Sequence, residues 1–204
     1  MPRIAGVPTK DASLVLKVLY RMMRRRYGAV PEPATVLAKH RKLLMAYGRH
    51  EMSAAKASTV LPANVREIAV YRVAQQLGCS WCVDFGTMLQ KHDGLDIERL
   101  KHIDDYDAAD ADTYSRQEKL AIAYADAMTT SPTTVTDEQV AELVAEFGEP
   151  GVLELTYQVG LENMRARINS ALDITDQGFT SGDACLIPVP ADGQPAAEQL
   201  RTRP

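Results

Sequence analysis

Residues 64–84 read Asn64-Val65-Arg66-Glu67-Ile68-Ala69-Val70-Tyr71-Arg72-Val73-Ala74-Gln75-Gln76-Leu77-Gly78-Cys79-Ser80-Trp81-Cys82-Val83-Asp84. Apolar positions at three- and four-residue spacing (Ile68, Ala69, Tyr71, Val73, Leu77) predict a helix, opened by Pro62-Ala63-Asn64. Asn64 is placed to cap it, with Glu67 at the reciprocal capping-box position. Gly78 suits the left-handed residue that ends a helix, and Cys79 then opens another, running to about Lys91 before His92-Asp93-Gly94. The unit is helix, turn, helix, with a Cys-x-x-Cys at the second start.

The same periodicity extends through the chain, with no convincing period-2 strand, so the fold class is all-α with six to eight helices around one core. Residues 11–27 put Leu14, Val15, Val18, Leu19 and Met22 on one stripe, expected to face the core. A second helix is expected from about Pro33 to Glu51. Ser115-x-x-Glu118 forms a capping box for a helix through Met128. Thr136-x-x-Gln139 caps the next, ending near Phe147-Gly148, and a long helix follows from about Gly151 to Leu172. The expected organisation is a basic helical arm (1–34), a helical domain (35–180) and a Pro-containing tail (181–204).

The 204 residues carry a net charge of −4, 46% hydrophobic residues and three cysteines. Residues 1–50 hold eleven Lys and Arg against Asp11 and Glu32, which leaves the rest of the chain strongly acidic. With no nucleic-acid motif beside the arginines, the arm is expected to lie on its own body or on a neighbouring subunit. No apolar run is long enough to span a bilayer and no signal-peptide pattern precedes the first helix, so a soluble, cytoplasmic protein without nucleic-acid or membrane partners is expected. Three cysteines make no disulfide scaffold. They read as one pair plus Cys185.

The pair carries the chemistry. Cys79 and Cys82 fall in the first turn of a helix, where free amide N–H groups and the dipole favour a thiolate. One thiol can attack a peroxide or a disulfide and the other can resolve the product. Glu67, folded back by the Gly78 turn, is the candidate proton acceptor. Asp84 and Tyr71 are further candidates for a relay. A competing reading makes the cysteines small buried apolar residues, Glu67 a cap and Asp84 a solvated helix-start residue. His92 and His102 have no zinc-ligand spacing, and no dinucleotide loop is present, so no cofactor is expected.

The stretch from Asn64 to Asp84 resembles the carboxymuconolactone decarboxylase and alkylhydroperoxidase (AhpD)-like family, whose core motif is Glu, eleven residues, then Cys-x-x-Cys. Ala123-Tyr124-Ala125-Asp126-Ala127, Thr136-Asp137-Glu138 and Glu162 to Asn169 fit the family's later helices. The resemblance implies an all-α fold that assembles as a homo-oligomer (dimer, trimer or hexamer). It also implies Cys82 as the thiol that attacks a peroxide, Cys79 as its disulfide partner, Glu67 as the base, and a thiol or disulfide reductant. Two positions depart: Gly86 and Trp81 stand where family members place histidines. The alternative is a cofactor-free lyase, decarboxylase or isomerase acting on a small carboxylated ring compound, in which Glu67 with His40 or His50 moves protons.

Overall fold

A computed structural model describes residues 1–109 and 113–180. Cys185 and the expected tail lie outside the described residues, as do residues 110–112. Among the described residues there are seven α-helices and no strand: α1 (Leu14–Tyr27), α2 (Glu32–Leu37), α3 (Arg41–Ala57), α4 (Ala63–Gln76), α5 (Ser80–His92), α6 (Arg116–Thr129) and α7 (Asp137–Ala171), with short 3-10 turns between some of them. None is long and apolar enough to cross a membrane.

α4 is the centre of the bundle. Val65, Ile68, Ala69, Tyr71, Val73 and Ala74 are all buried, so the helix is covered on several sides rather than along one stripe. One side packs with α6 and α7 through Val65, Ala69, Val73, Ala121, Tyr124, Leu155 and Val159. The other faces the start of α5 and joins Ile68, Tyr71, Cys79, Cys82, Val83, Ile122 and Ala166 in one apolar cluster. Full burial of each large apolar side chain in these clusters contributes about 1.5–3 kcal/mol.

Several boundaries follow the sequence expectation for the expected reason. Ser115 and Glu118 close a reciprocal capping box at the start of α6. The Thr136 side chain accepts from the Gln139 amide at 3.2 Å. Gly148, at φ 68° and ψ 165°, breaks α7, and Pro150 sits in the first turn beyond.

Three expectations are corrected. The α4 cap is Pro62, which has no side-chain capping bond; Asn64 instead donates to Glu118 Oε1 at 3.1 Å. The capping box of Asn64 and Glu67 does not form, because the helix begins at Ala63 and Asn64 already lies inside its first turn. The helix expected over 33–51 is divided: α2 ends at Leu37, a 3-10 turn spans Ala38–His40, and α3 begins at Arg41. His40 makes the break by capping α3, its Nδ1 accepting from the Leu43 amide at 3.1 Å.

In α1 the apolar stripe faces outward: Leu14, Val15, Val18 and Met22 are exposed, while Leu16 and Tyr20 are buried. The inward face wins because Leu16 and Tyr20 pack with Ala12, Ala34, Ala38 and Leu44, and the Tyr20 hydroxyl donates to the Val7 carbonyl at 3.0 Å. The arm does lie on its own body. Arg3 donates to the Ser170 and Ala171 carbonyls at the end of α7, and the Tyr27 ring meets Phe85 edge-on. A guanidinium on terminal helix carbonyls meets both their hydrogen-bonding need and the negative dipole end.

Candidate functional site

The chain turns sharply between α4 and α5. Gly78 takes φ 64°, which a residue with a Cβ adopts only at a cost, and its amide donates to the Gln75 carbonyl at 3.0 Å. The Cys79 amide donates to the Ala74 carbonyl at 2.9 Å. This places Cys79 as the N-cap of α5, its Sγ accepting from the Cys82 amide at 3.3 Å. Cys79 and Cys82 are joined as a disulfide. Both are buried, Cys79 at 2% exposure and Cys82 at 7%.

The opposite wall is the end of α7. Asn169, itself buried, directs its side-chain amide at both sulfurs, 3.4 Å from Cys82 Sγ and 3.8 Å from Cys79 Sγ. Two turns earlier on the same helix a charged group begins. Glu162 is buried; its Oε2 accepts from Arg165 at 3.1 Å, and its Oε1 has no hydrogen-bond partner among the described residues. Burial pushes the Glu162 carboxyl up to about 7, against the pull of Arg165 and with the help of the charges on Glu51 and Glu67. Arg165 also makes a two-pronged pair with Glu51 of α3. Burial opposes the Arg165 charge, but Glu51 and Glu162 outweigh it and hold the guanidinium above its usual range. Burial likewise opposes the Glu51 charge, and Arg165 outweighs it, so that carboxyl stays low. The buried Tyr47 phenol is pushed up by desolvation and then by Glu51.

Glu67, on α4, lies close enough to the charged group to feel Arg165 and to act on Glu162. Burial raises its carboxyl, with Arg66 offsetting part of the shift through a 3.3 Å bond to Oε1. Among the described residues no hydrogen bond joins Glu67 to either sulfur. It is a carboxyl biased toward holding a proton, not a capping group.

Asp84 is neither solvated nor idle. At 2% exposure, its two oxygens accept four bonds: from the amides of Gln177, Phe179 and Thr180, each at 3.0 Å, and from the Thr180 hydroxyl at 2.9 Å. This carboxylate ties residues 177–180 over the start of α5. Gln177 extends the tie by accepting from the Trp81 indole at 2.8 Å and from the Glu32 amide at 2.6 Å. Trp81 stacks on Phe85, and Phe179 meets both rings edge-on. Trp81 is thus part of the cover. A Cβ on Gly86 would lie 3.9 Å from the Tyr71 ring, in ordinary contact, so the missing side chain leaves room rather than a clash.

His40 is engaged as the α3 cap, and His50 pairs with Tyr157 on the exposed side of the bundle. Among the described residues no group of His, Cys, Asp and Glu is arranged to hold a metal ion. The residues that sequence reasoning missed are Asn169, Glu162 and Arg165. Their signal was present: Gln158, Glu162, Arg165 and Asn169 repeat at helical spacing along one side of α7. Gln158, Glu162 and Asn169 are buried.

No family model matches the chain. It is 30% identical over 181 residues to the uncharacterised protein YnjA of Escherichia coli K12, covering 89% of this chain and 96% of that protein. Among solved structures it resembles the debrominase Bmp8 with a TM-score of 0.75 at 20% identity, covering 88% of this chain and 94% of that one. A cysteine-to-alanine variant of Bmp8 in complex with 2,3,4-tribromopyrrole matches at a TM-score of 0.74 and 19% identity, again covering 88% and 94%. A protein of unknown function from Agrobacterium tumefaciens, proposed to be the antioxidant defence protein AhpD, matches at 0.57 and 21% identity, covering 64% of this chain and 90% of that one. The solved structures share the all-helical fold.

Proposed function

From a chain that belongs to the carboxymuconolactone decarboxylase and AhpD-like family, we propose a thiol-dependent oxidoreductase that reduces hydroperoxides through Cys79 and Cys82. The observation that carries this reading is the Cys79–Cys82 disulfide at the N-terminus of α5, with a hydrogen-bond donor on each sulfur. In the reduced form, Glu67 takes the Cys82 proton. The thiolate attacks the distal peroxide oxygen; an S–O bond forms, the O–O bond breaks, and the alkoxide leaves with the proton as an alcohol. The Cys79 sulfur then attacks the sulfenic sulfur; an S–S bond forms, the S–O bond breaks, and the hydroxide leaves with the Cys79 proton as water. The peroxide gains two electrons and the two thiols lose them. An external dithiol restores the pair by exchange.

The test is steady-state hydroperoxide reduction with a dithiol reductant. Cys82→Ser is expected to fall to the uncatalysed background; activity equal to the unmodified chain overturns the assignment. We place this chemistry in the cytoplasm and in a homo-oligomer, for which the outward stripe of α1 is available. Light scattering at micromolar concentration tests that assembly, and a monomer contradicts it.

A second reading is favoured by one feature, the unpartnered Oε1 of buried Glu162 beside Arg165. There the carboxyls move protons on a small carboxylated or halogenated ring compound and the sulfurs only line the site. The debrominase neighbour and its bound bromopyrrole give that substrate class its motive. Turnover surviving a double Cys→Ser change selects it.

A further inference from the structure

The family resemblance leads one to expect an imidazole beside the thiols, and the two positions that would supply it are Gly86 and Trp81. The indole N–H of Trp81 is spent on Gln177, so it serves neither sulfur. Asn169, from a different helix, occupies the vacant role. Its amide lies 3.4 Å from Cys82 Sγ, while Cys79 Sγ has its own donor in the Cys82 amide at 3.3 Å. When the disulfide opens, each sulfur therefore has a donor ready.

A disulfide sulfur is a weak acceptor, and burying an amide against it gains little for the water given up. A thiolate is a charged acceptor, and the same contact becomes a charge-assisted hydrogen bond, roughly twice as strong as a neutral one. The position of Asn169 thus makes energetic sense in the reduced chain. The titratable or charged groups on the elements packed around the pair include Glu67 and Tyr71 of α4, Asp84 of α5, and Glu162 and Arg165 of α7. Glu67 is held by Arg66, Asp84 by the 177–180 segment, Glu162 by Arg165, and Arg165 also by Glu51.

We propose that Asn169 is a catalytic residue: its side-chain amide donates to the Cys82 thiolate and favours its formation, in place of a relay histidine. An amide stabilises charge but does not act as an acid or a base at neutral pH. The division of labour follows, with Asn169 holding the anion and Glu67 taking the proton. The inference rests on the thiol reading above, since it takes Cys82 as the reacting sulfur.

The test is alkylation of the reduced full chain against pH, with each cysteine followed separately by mass spectrometry. Asn169→Leu is expected to slow Cys82 alkylation at neutral pH about tenfold, an upward move of about one pH unit in its ionisation. Asn169→Asp, nearly the same shape, is expected to move it further, because a carboxylate repels the thiolate; it decides the matter if the Leu variant does not fold. Folded variants in which Cys82 ionises as in the unmodified chain overturn the proposal. Peroxide turnover separates the two readings. An ionisation shift in a chain that reduces no peroxide upholds Asn169 and overturns the peroxidase reading. Full turnover with Cys82 ionisation unmoved in both variants overturns Asn169 alone.

Discussion

One face of α7 carries two sites of opposite character. At its end, Asn169 meets a pair of sulfurs with a neutral amide, inside an apolar cluster. About 10 Å earlier along the axis, buried Glu162 and half-buried Arg165 meet half-buried Glu51 in a knot of charge. The sulfur end offers each sulfur a hydrogen-bond donor. The carboxyl end is built to hold a proton, because burial there outweighs the nearby cation for Glu162. Glu67 lies on the facing helix and feels both the charge of Arg165 and its own desolvation. The lesson is that acid–base chemistry and anion stabilisation need not share a residue, as they do in an imidazole. In the division proposed above they fall on two packed helices, Asn169 on α7 and Glu67 on α4.

The largest stability effect is expected from removing the cation of the charged end. Arg165→Leu leaves Glu51 and Glu162 facing one another without compensation, at a cost of about 3 kcal/mol. Chemical denaturation measures it. A loss below about 1 kcal/mol would show that the knot is solvated rather than buried. The sulfur end depends instead on its cover. Asp84→Ala strands three backbone amides and a hydroxyl, at an expected cost of about 2 kcal/mol. It should also speed hydrogen exchange at residues 177–180 and alkylation of the reduced thiols. If exchange there is unchanged, the cover is held by its aromatic contacts and not by Asp84.

A smaller effect lies in pH. The folded Glu162 carboxyl binds its proton up to about 7, well above its ordinary value of 4.5. Between those values the folded chain binds more protons than the unfolded one, so this group makes stability fall as pH rises through the window and level off above it. Glu162→Gln should remove a slope of at most about 1.4 kcal/mol per pH unit, leaving a flatter profile. Parallel profiles for the two chains would place the proton elsewhere. Within the charged end the Arg165–Glu51 pair remains, so the fold itself should survive this change.

The local grammar of the chain was legible where neighbouring residues decide the outcome. Gly78, the capping box of Ser115 and Glu118, the Thr136 cap and the Gly148 break each depend on a few adjacent positions. The helix, turn and helix around Cys-x-x-Cys follow from them. Orientation was not legible where both sides of a helix are apolar: in α1 the stripe through Leu14, Val18 and Met22 and the face through Leu16 and Tyr20 compete, and packing against Ala34, Ala38 and Leu44 decides. Asp84 and Asn64 were misjudged for a related reason. Each takes partners far away in sequence, the segment 177–180 and Glu118, that no local pattern announces. In the candidate site, the Cys-x-x-Cys at the start of a helix was readable from spacing alone. That Asn169 meets it was not, because it arrives from another helix 87 residues beyond Cys82.

The most direct measurement mixes the fully reduced chain with an equimolar hydroperoxide, quenches with an alkylating reagent, and maps the cysteines by mass spectrometry over time. A redox pair requires the Cys79–Cys82 disulfide to appear as fast as the peroxide disappears, with both thiols lost together. Peroxide left intact with both cysteines alkylated, or oxidation that stops as sulfinic acid on one sulfur, would contradict it.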